Sequence, residues 1–140
     1  MRREVLLWLK SAEDDIFDAK LFFENGRYFR TAFFSQQSVE KVLKALFFVV
    51  RREEPPKIHS VTELYRKLRE GNFSFPKELE EQLFILNKYY TVSRYPDAAN
   101  GLPSESVDKL EAERALKLAE EVLKYAVEFV KKSERGREEA

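Results

Sequence analysis

Cysteine is absent from this chain, which excludes a disulfide framework and any thiolate metal site. Histidine occurs once, at His59. A di-metal carboxylate centre in a helical bundle needs Glu-x-x-His pairs on facing helices, and no such pair exists here. A nucleophilic triad would have to use His59 as its base. The expectation is therefore no metal site and no confidently assigned catalytic residue. Net charge is missing too, because 25 basic side chains balance 25 acidic ones. That balance argues against global attraction to nucleic acid or membrane and leaves room only for a local patch. The longest apolar run, Ala45 to Val50, is far shorter than the ~20 residues of a membrane span. No early apolar run has the form of a signal peptide, and the expected location is cytoplasmic. Strand alternation, internal repeats and a glycine-rich phosphate loop are also lacking.

What is present is helical periodicity. The chain, at 140 residues, is the length of one ordinary domain, and the expected division is a bundle over 1–132 followed by a polar tail over 133–140. Val5, Leu9, Ala12, Ile16, Ala19 and Phe23 advance by three or four and define a first helix. Trp8, Asp15 and Phe22 flank its apolar stripe, and Asn25-Gly26 is the expected stop. A second helix runs from about Tyr28 to Val50, with Phe29, Ala32, Val39, Leu43, Leu46, Phe47 and Val50 on its core face. Pro55-Pro56 breaks the pattern, and Ser60 three residues before Glu63 reads as a capping box opening a short helix. A third long segment is expected from Pro76 to Ser93, carrying Leu79, Leu83, Leu86 and Tyr90. The last helix is expected over about Ser106 to Lys132. The fold class is thus all-α, an up-and-down four-helix bundle with one short additional helix.

The stretch from Arg27 to Arg52 is the organising element, because its apolar face is accompanied by a polar edge. Projection at ~100° per residue places Phe33, Gln36, Glu40 and Lys44 along one side of the core face, with Gln37 and Lys41 just beyond. Polar side chains at such positions either fix helix register as an internal network or line a cleft or interface. Asp15 is expected to be a buried or half-buried carboxylate in need of a partner, with Lys41 or Lys44 available to supply one. His59 reads either as a partly exposed loop residue at a helix N-terminus or as a functional group. Arg94 and Tyr95 read either as a cap and a packed ring or as a phosphate-binding arginine beside a stacking aromatic.

These residues carry a resemblance. Trp8, Ala12, Asp15 and Ala19, then Gly26-Arg27-Tyr28, the run Gln36-Gln37-Ser38-Val39-Glu40-Lys41-Val42-Leu43-Lys44-Ala45, His59 before Leu64, and Tyr90 with Arg94-Tyr95-Pro96-Asp97 resemble the HEPN domain, a nucleotide-binding domain of higher eukaryotes and prokaryotes. The resemblance implies a helical bundle that commonly forms a homodimer. It implies a minimal nucleotidyltransferase as partner in a toxin–antitoxin-like pair, and a nucleotide as possible ligand. Many members are metal-independent ribonucleases that use an arginine and a histidine separated by four to six residues. This chain departs from that pattern, because Ala99, Asn100 and Gly101 stand where a histidine after Arg94 would fall. Arg52 and His59 meet the spacing formally, but at the wrong place in the order of helices.

Arginine stays protonated and does not replace a histidine base. The expected function is accordingly a non-catalytic nucleotide- or partner-binding module, with Asp15, Gln37, Glu40, Lys41, Lys44, Arg94 and Tyr95 as its site. The alternatives are a ribonuclease using Arg94 and His59, and a dimerising scaffold in which the polar edge only sets register.

Overall fold

A computed structural model describes residues 1–95 and 101–139, apart from the side chains of Arg94 and of residues 137–139. All regular structure among these residues is helical. Helix α1 spans Arg3–Glu24 and buries Val5, Leu9, Ala12, Ile16 and Ala19, the stripe that the periodicity marks. It ends in a Schellman turn, with Arg27 N–H donating to Phe22 O at 2.9 Å and Gly26 N–H to Phe23 O at 3.1 Å. Gly26 takes the left-handed conformation (φ 72°) that the turn requires. The turn sends α2, Tyr28–Leu46, back along α1.

Small residues bring α1 and α2 close. Ala12, Ala19 and Ala32 are fully buried. Ser38 Oγ donates to Ala12 O at 2.8 Å, and Thr31 Oγ1 donates to Ala19 O at 3.1 Å. Hydroxyls that reach the neighbouring helix's carbonyls are satisfied without water, so the contact is both tight and register-specific.

The second helix is not α-helical to its end. Phe47–Arg51 form a π turn, and Arg52 closes it in the left-handed conformation (φ 54°). Helix α3, Val61–Glu70, packs against this turn. Ser60 caps it by accepting from Glu63 N–H at 3.1 Å, while the Glu63 carboxylate turns outward to Arg66. Gly71 ends α3 where there is no room for a side chain: an added Cβ would lie 2.7 Å from Arg51 Cδ and 2.9 Å from Val50 Cγ1.

The third long segment is broken rather than continuous. Helix α4 covers only Lys77–Glu80, a 3-10 turn covers Leu83–Leu86, and α5 covers Asn87–Arg94. Leu79, Leu83 and Leu86 are buried as the stripe predicts. The break coincides with a tertiary demand on Asn87. Its Oδ1 accepts from Val61 N–H at 2.8 Å, and its Nδ2 donates to Thr62 Oγ1 at 2.6 Å, so α5 is pinned to the start of α3.

Helix α6 spans Lys109–Glu139, starting three residues later than the pattern suggests because Asp108 caps it, accepting from Glu111 N–H at 2.8 Å. It continues as helix through residues assigned to the polar tail. Leu118, Ala119, Val122, Ala126 and Val130 face the core, as expected. α2 is the central element, in contact with α1, α3, α5 and α6. The all-α up-and-down bundle is the observed architecture, with α3 as the short additional helix. No helix among the described residues is long and apolar enough to cross a membrane.

Candidate functional site

The polar edge of α2 forms the floor of an open groove of about 580 Å³. Gln37, Glu40, Lys41 and Lys44 come from α2, Trp8 from α1, His59 from the loop before α3, and Tyr90 and Ser93 from α5. Arg30, in the first turn of α2, also lines it. Successive turns of one helix supply the floor because residues three and four apart share a face.

Two polar clusters hold the groove. In the first, Lys41 Nζ lies 2.9 Å from Asp15 Oδ2 and donates to Ser11 Oγ at 2.8 Å, while Gln37 Nε2 donates to Asp15 Oδ1 at 3.3 Å. The Lys41 contact with Oδ2 is ionic rather than a well-aligned hydrogen bond, and the ammonium is what compensates that buried oxygen. Burial pushes the Asp15 carboxyl above its ordinary range, and Lys41 opposes the shift. Of the two lysines available to Asp15 the structure selects Lys41. Lys44 instead sits 5.7 Å from the centroid of the Trp8 ring, in cation–π range.

In the second cluster, Glu40 Oε1 and His59 Nδ1 are 2.6 Å apart. Glu40 is buried, and desolvation raises its carboxyl above the ordinary range against the pull of Lys44 and His59. His59 is half exposed, so one edge of the ring is tied to the core and the other faces solvent. Its ring stacks on Tyr90 with centroids 4.8 Å apart, and its backbone carbonyl accepts from buried Gln36 Nε2 at 3.3 Å. The loop histidine is thus fixed from three sides.

The groove assembles Gln37, Glu40, Lys41 and Lys44 of the expected site, with Asp15 directly beneath Lys41. Tyr95 is 62% exposed and does not line it. Arg94 ends α5, and its side chain lies outside the described residues, as do Pro96 and Asp97 of the same motif. The sequence reading missed the Glu40–His59 pair and the entry of Arg30 into the groove. The only local signal for the former was that both residues stood out separately. Their pairing depends on the path of a loop. Among the described residues no group of three or more His, Asp or Glu side chains could hold a metal ion.

A family model for the HEPN domain matches residues 5–131. The chain belongs to the HEPN family. Solved relatives of this HEPN chain agree in fold along almost its whole length. TT1696 from Thermus thermophilus is 33% identical with a TM-score of 0.80, covering 91% of this chain and 98% of its own. ST0689, an archaeal HEPN homologue, is 30% identical with a TM-score of 0.75, covering 93% of this chain and 99% of its own. The "Putative toxin MJ1304" of Methanocaldococcus jannaschii is 30% identical over 138 residues, covering 89% of this chain and 87% of its own length.

Proposed function

We propose that this HEPN domain is a binding module whose groove takes a phosphate-bearing nucleotide, and that it acts with a minimal nucleotidyltransferase in a toxin–antitoxin-like pair. One observation carries the ligand reading. In a chain of zero net charge, the groove gathers Arg30, Lys41 and Lys44, with Glu40 in its lining and Asp15 paired to Lys41 beneath it, beside the rings of Trp8 and Tyr90. Cations in a partly desolvated cleft favour phosphate oxygens, and flat aromatic walls accept a base. The relative named as a toxin supports the second half of the reading. Titration calorimetry with a panel of nucleotides at low and moderate salt tests it. Binding that strengthens with phosphate number and weakens with salt is the expected result. No binding to any nucleotide, together with no complex with a nucleotidyltransferase encoded beside it, contradicts the proposal.

A second reading is favoured by the Glu40–His59 contact. A carboxylate that holds an imidazole at 2.6 Å while its far edge faces solvent has the base-and-orienter arrangement of acid–base catalysis. With Arg94 on the phosphate, this would be a metal-independent ribonuclease that uses His59 in place of the absent histidine. It requires RNA cleavage by a chelator-treated preparation, lost in His59→Ala. Cleavage that persists in that variant removes His59 from the mechanism.

A further inference from the structure

The polar edge of α2 leads into an apolar slot. One turn beyond Lys44, Phe48 joins Leu7, Trp8 and Ser11 of α1 around a second cavity of about 280 Å³, with Glu4 completing its lining. Trp8 belongs to both the slot and the groove. Two contacts link them further: Lys44 Nζ lies 5.7 Å from the centroid of the Trp8 ring, and Lys41 Nζ donates to Ser11 Oγ at 2.8 Å. Leu7 is 53% exposed, so the slot opens to solvent. A cation of the groove thus stands beside an aromatic-walled cavity able to hold one flat ring system.

The polar side chains of the slot differ in what they can do. The carboxylate of Glu4 only accepts hydrogen bonds. It lies 3.4 Å from Arg2 Nε, but both side chains are more than half exposed and the pair holds Glu4 weakly. Ser11 Oγ accepts from Lys41, and its O–H has no acceptor among the described residues. Glu4 and Ser11 are about two turns apart on one face of α1. The slot therefore offers one donor and one acceptor-only group along an apolar wall.

We propose that this slot is the base subsite of the groove and that it takes guanine. This assignment rests on the reading of the groove as a nucleotide site, and adds where the base goes and which base is chosen. Guanine presents O6, an acceptor, next to the N–H donors of N1 and N2. Ser11 donates to O6, and the Glu4 carboxylate accepts from N1 and N2 together. Adenine offers that carboxylate only its amino group, and uracil only one N–H between two carbonyl oxygens. The base stacks on Trp8, because one face of Tyr90, the other ring of the groove, is already covered by His59 at 4.8 Å. The phosphates leave the slot past Lys44.

Trp8 is the only tryptophan in the chain, so its fluorescence reports on the slot directly. The test is a titration of the full chain, followed by Trp8 emission and by calorimetry, with GTP, ITP, ATP and inorganic triphosphate. GTP should quench Trp8 and bind at least about tenfold more tightly than inorganic triphosphate, which has no base to stack. It should also be preferred over ATP by about tenfold, with ITP, which lacks the amino group on C2, in between. Glu4→Gln, on the exposed side of α1, should abolish most of the preference for GTP and leave binding of inorganic triphosphate unweakened. Triphosphate binding as tight as that of GTP, with no change in Trp8 emission, overturns the base subsite and leaves the groove as a phosphate site. ATP bound as tightly as GTP, or a preference for GTP that survives Glu4→Gln, overturns the choice of guanine. Failure of all four ligands to bind overturns both this assignment and the reading of the groove.

Discussion

Lys41→Met isolates the cluster beneath the groove. Asp15 has a side chain only 7% exposed, and Lys41 at 2.9 Å is the cation beside it, itself 23% exposed. Removing one partner of a buried ion pair costs about 3–5 kcal/mol, because an uncompensated charge is left behind. Two features of the geometry reduce that figure. Water reaches the Lys41 end of the pair, and Gln37 still donates to Asp15 Oδ1. A loss of about 2–3 kcal/mol is expected, or roughly 6–10 °C in melting temperature for a domain of this size.

The pH dependence gives an independent handle on the same cluster. The native carboxyl is already raised above its ordinary value of 3.8, and loss of Lys41 raises it further. The native state then binds this proton more tightly than the unfolded chain does. Stability therefore falls as pH rises from about the ordinary value through the raised one, and recovers on acidification. Urea melts of Lys41→Met across that range should show the deficit at neutral pH and its partial recovery in acid. Asp15→Asn in the same background should restore most of the loss, since an amide needs no counter-charge. A neutral Lys41→Met, or a double variant no more stable than the single one, would refute the reasoning.

Gly71→Ala should cost about 1–2 kcal/mol in a denaturant melt, since the new methyl meets Val50 and Arg51 in a space already filled. Ser38→Ala should cost about 1 kcal/mol, the value of the buried hydroxyl's bond to Ala12 O, and a neutral result would mean that this carbonyl finds another donor. Asn87→Ala should cost about 2–3 kcal/mol, because it leaves Val61 N–H without its partner and unties α5 from α3. Hydrogen exchange should then speed up at the start of α3, and protection unchanged at Val61 would contradict the role given to Asn87.

The fold was legible because its stripes are local. Val5 through Ala19 and Phe29 through Phe47 repeat at helical spacing; burial follows that spacing in α1, whereas α2, packed on several sides, is buried almost all round from Val42 to Phe48. The departures have non-local causes. Nothing within 76–93 announces the interruption between α4 and α5. Asn87 is a surface-like residue until the loop ahead of α3 delivers Val61 N–H and Thr62 to it. The site divides in the same way. The polar edge of α2 is a property of one helix and can be read from it. The choice of Lys41 over Lys44 for Asp15 depends on how α1 and α2 are rotated against each other. The Glu40–His59 contact spans a loop whose course the residues between them do not specify.

Lys44→Met tests the central claim most directly, since the claim is that the edge of α2 binds a ligand rather than only setting helix register. Lys44 Nζ lies over Trp8 in the groove and makes no hydrogen bond among the described residues, so its replacement by an apolar side chain of similar length should leave the fold intact, with some loss of stability because its charge helps offset the desolvation of Glu40. A charge-assisted phosphate contact is worth about 1.5–3 kcal/mol. Calorimetric titration of the variant with the tightest-binding nucleotide of the panel should therefore show affinity reduced about 10- to 150-fold in a protein that still melts cooperatively. Affinity equal to that of the wild type would contradict the account and leave the polar edge as a register-setting network.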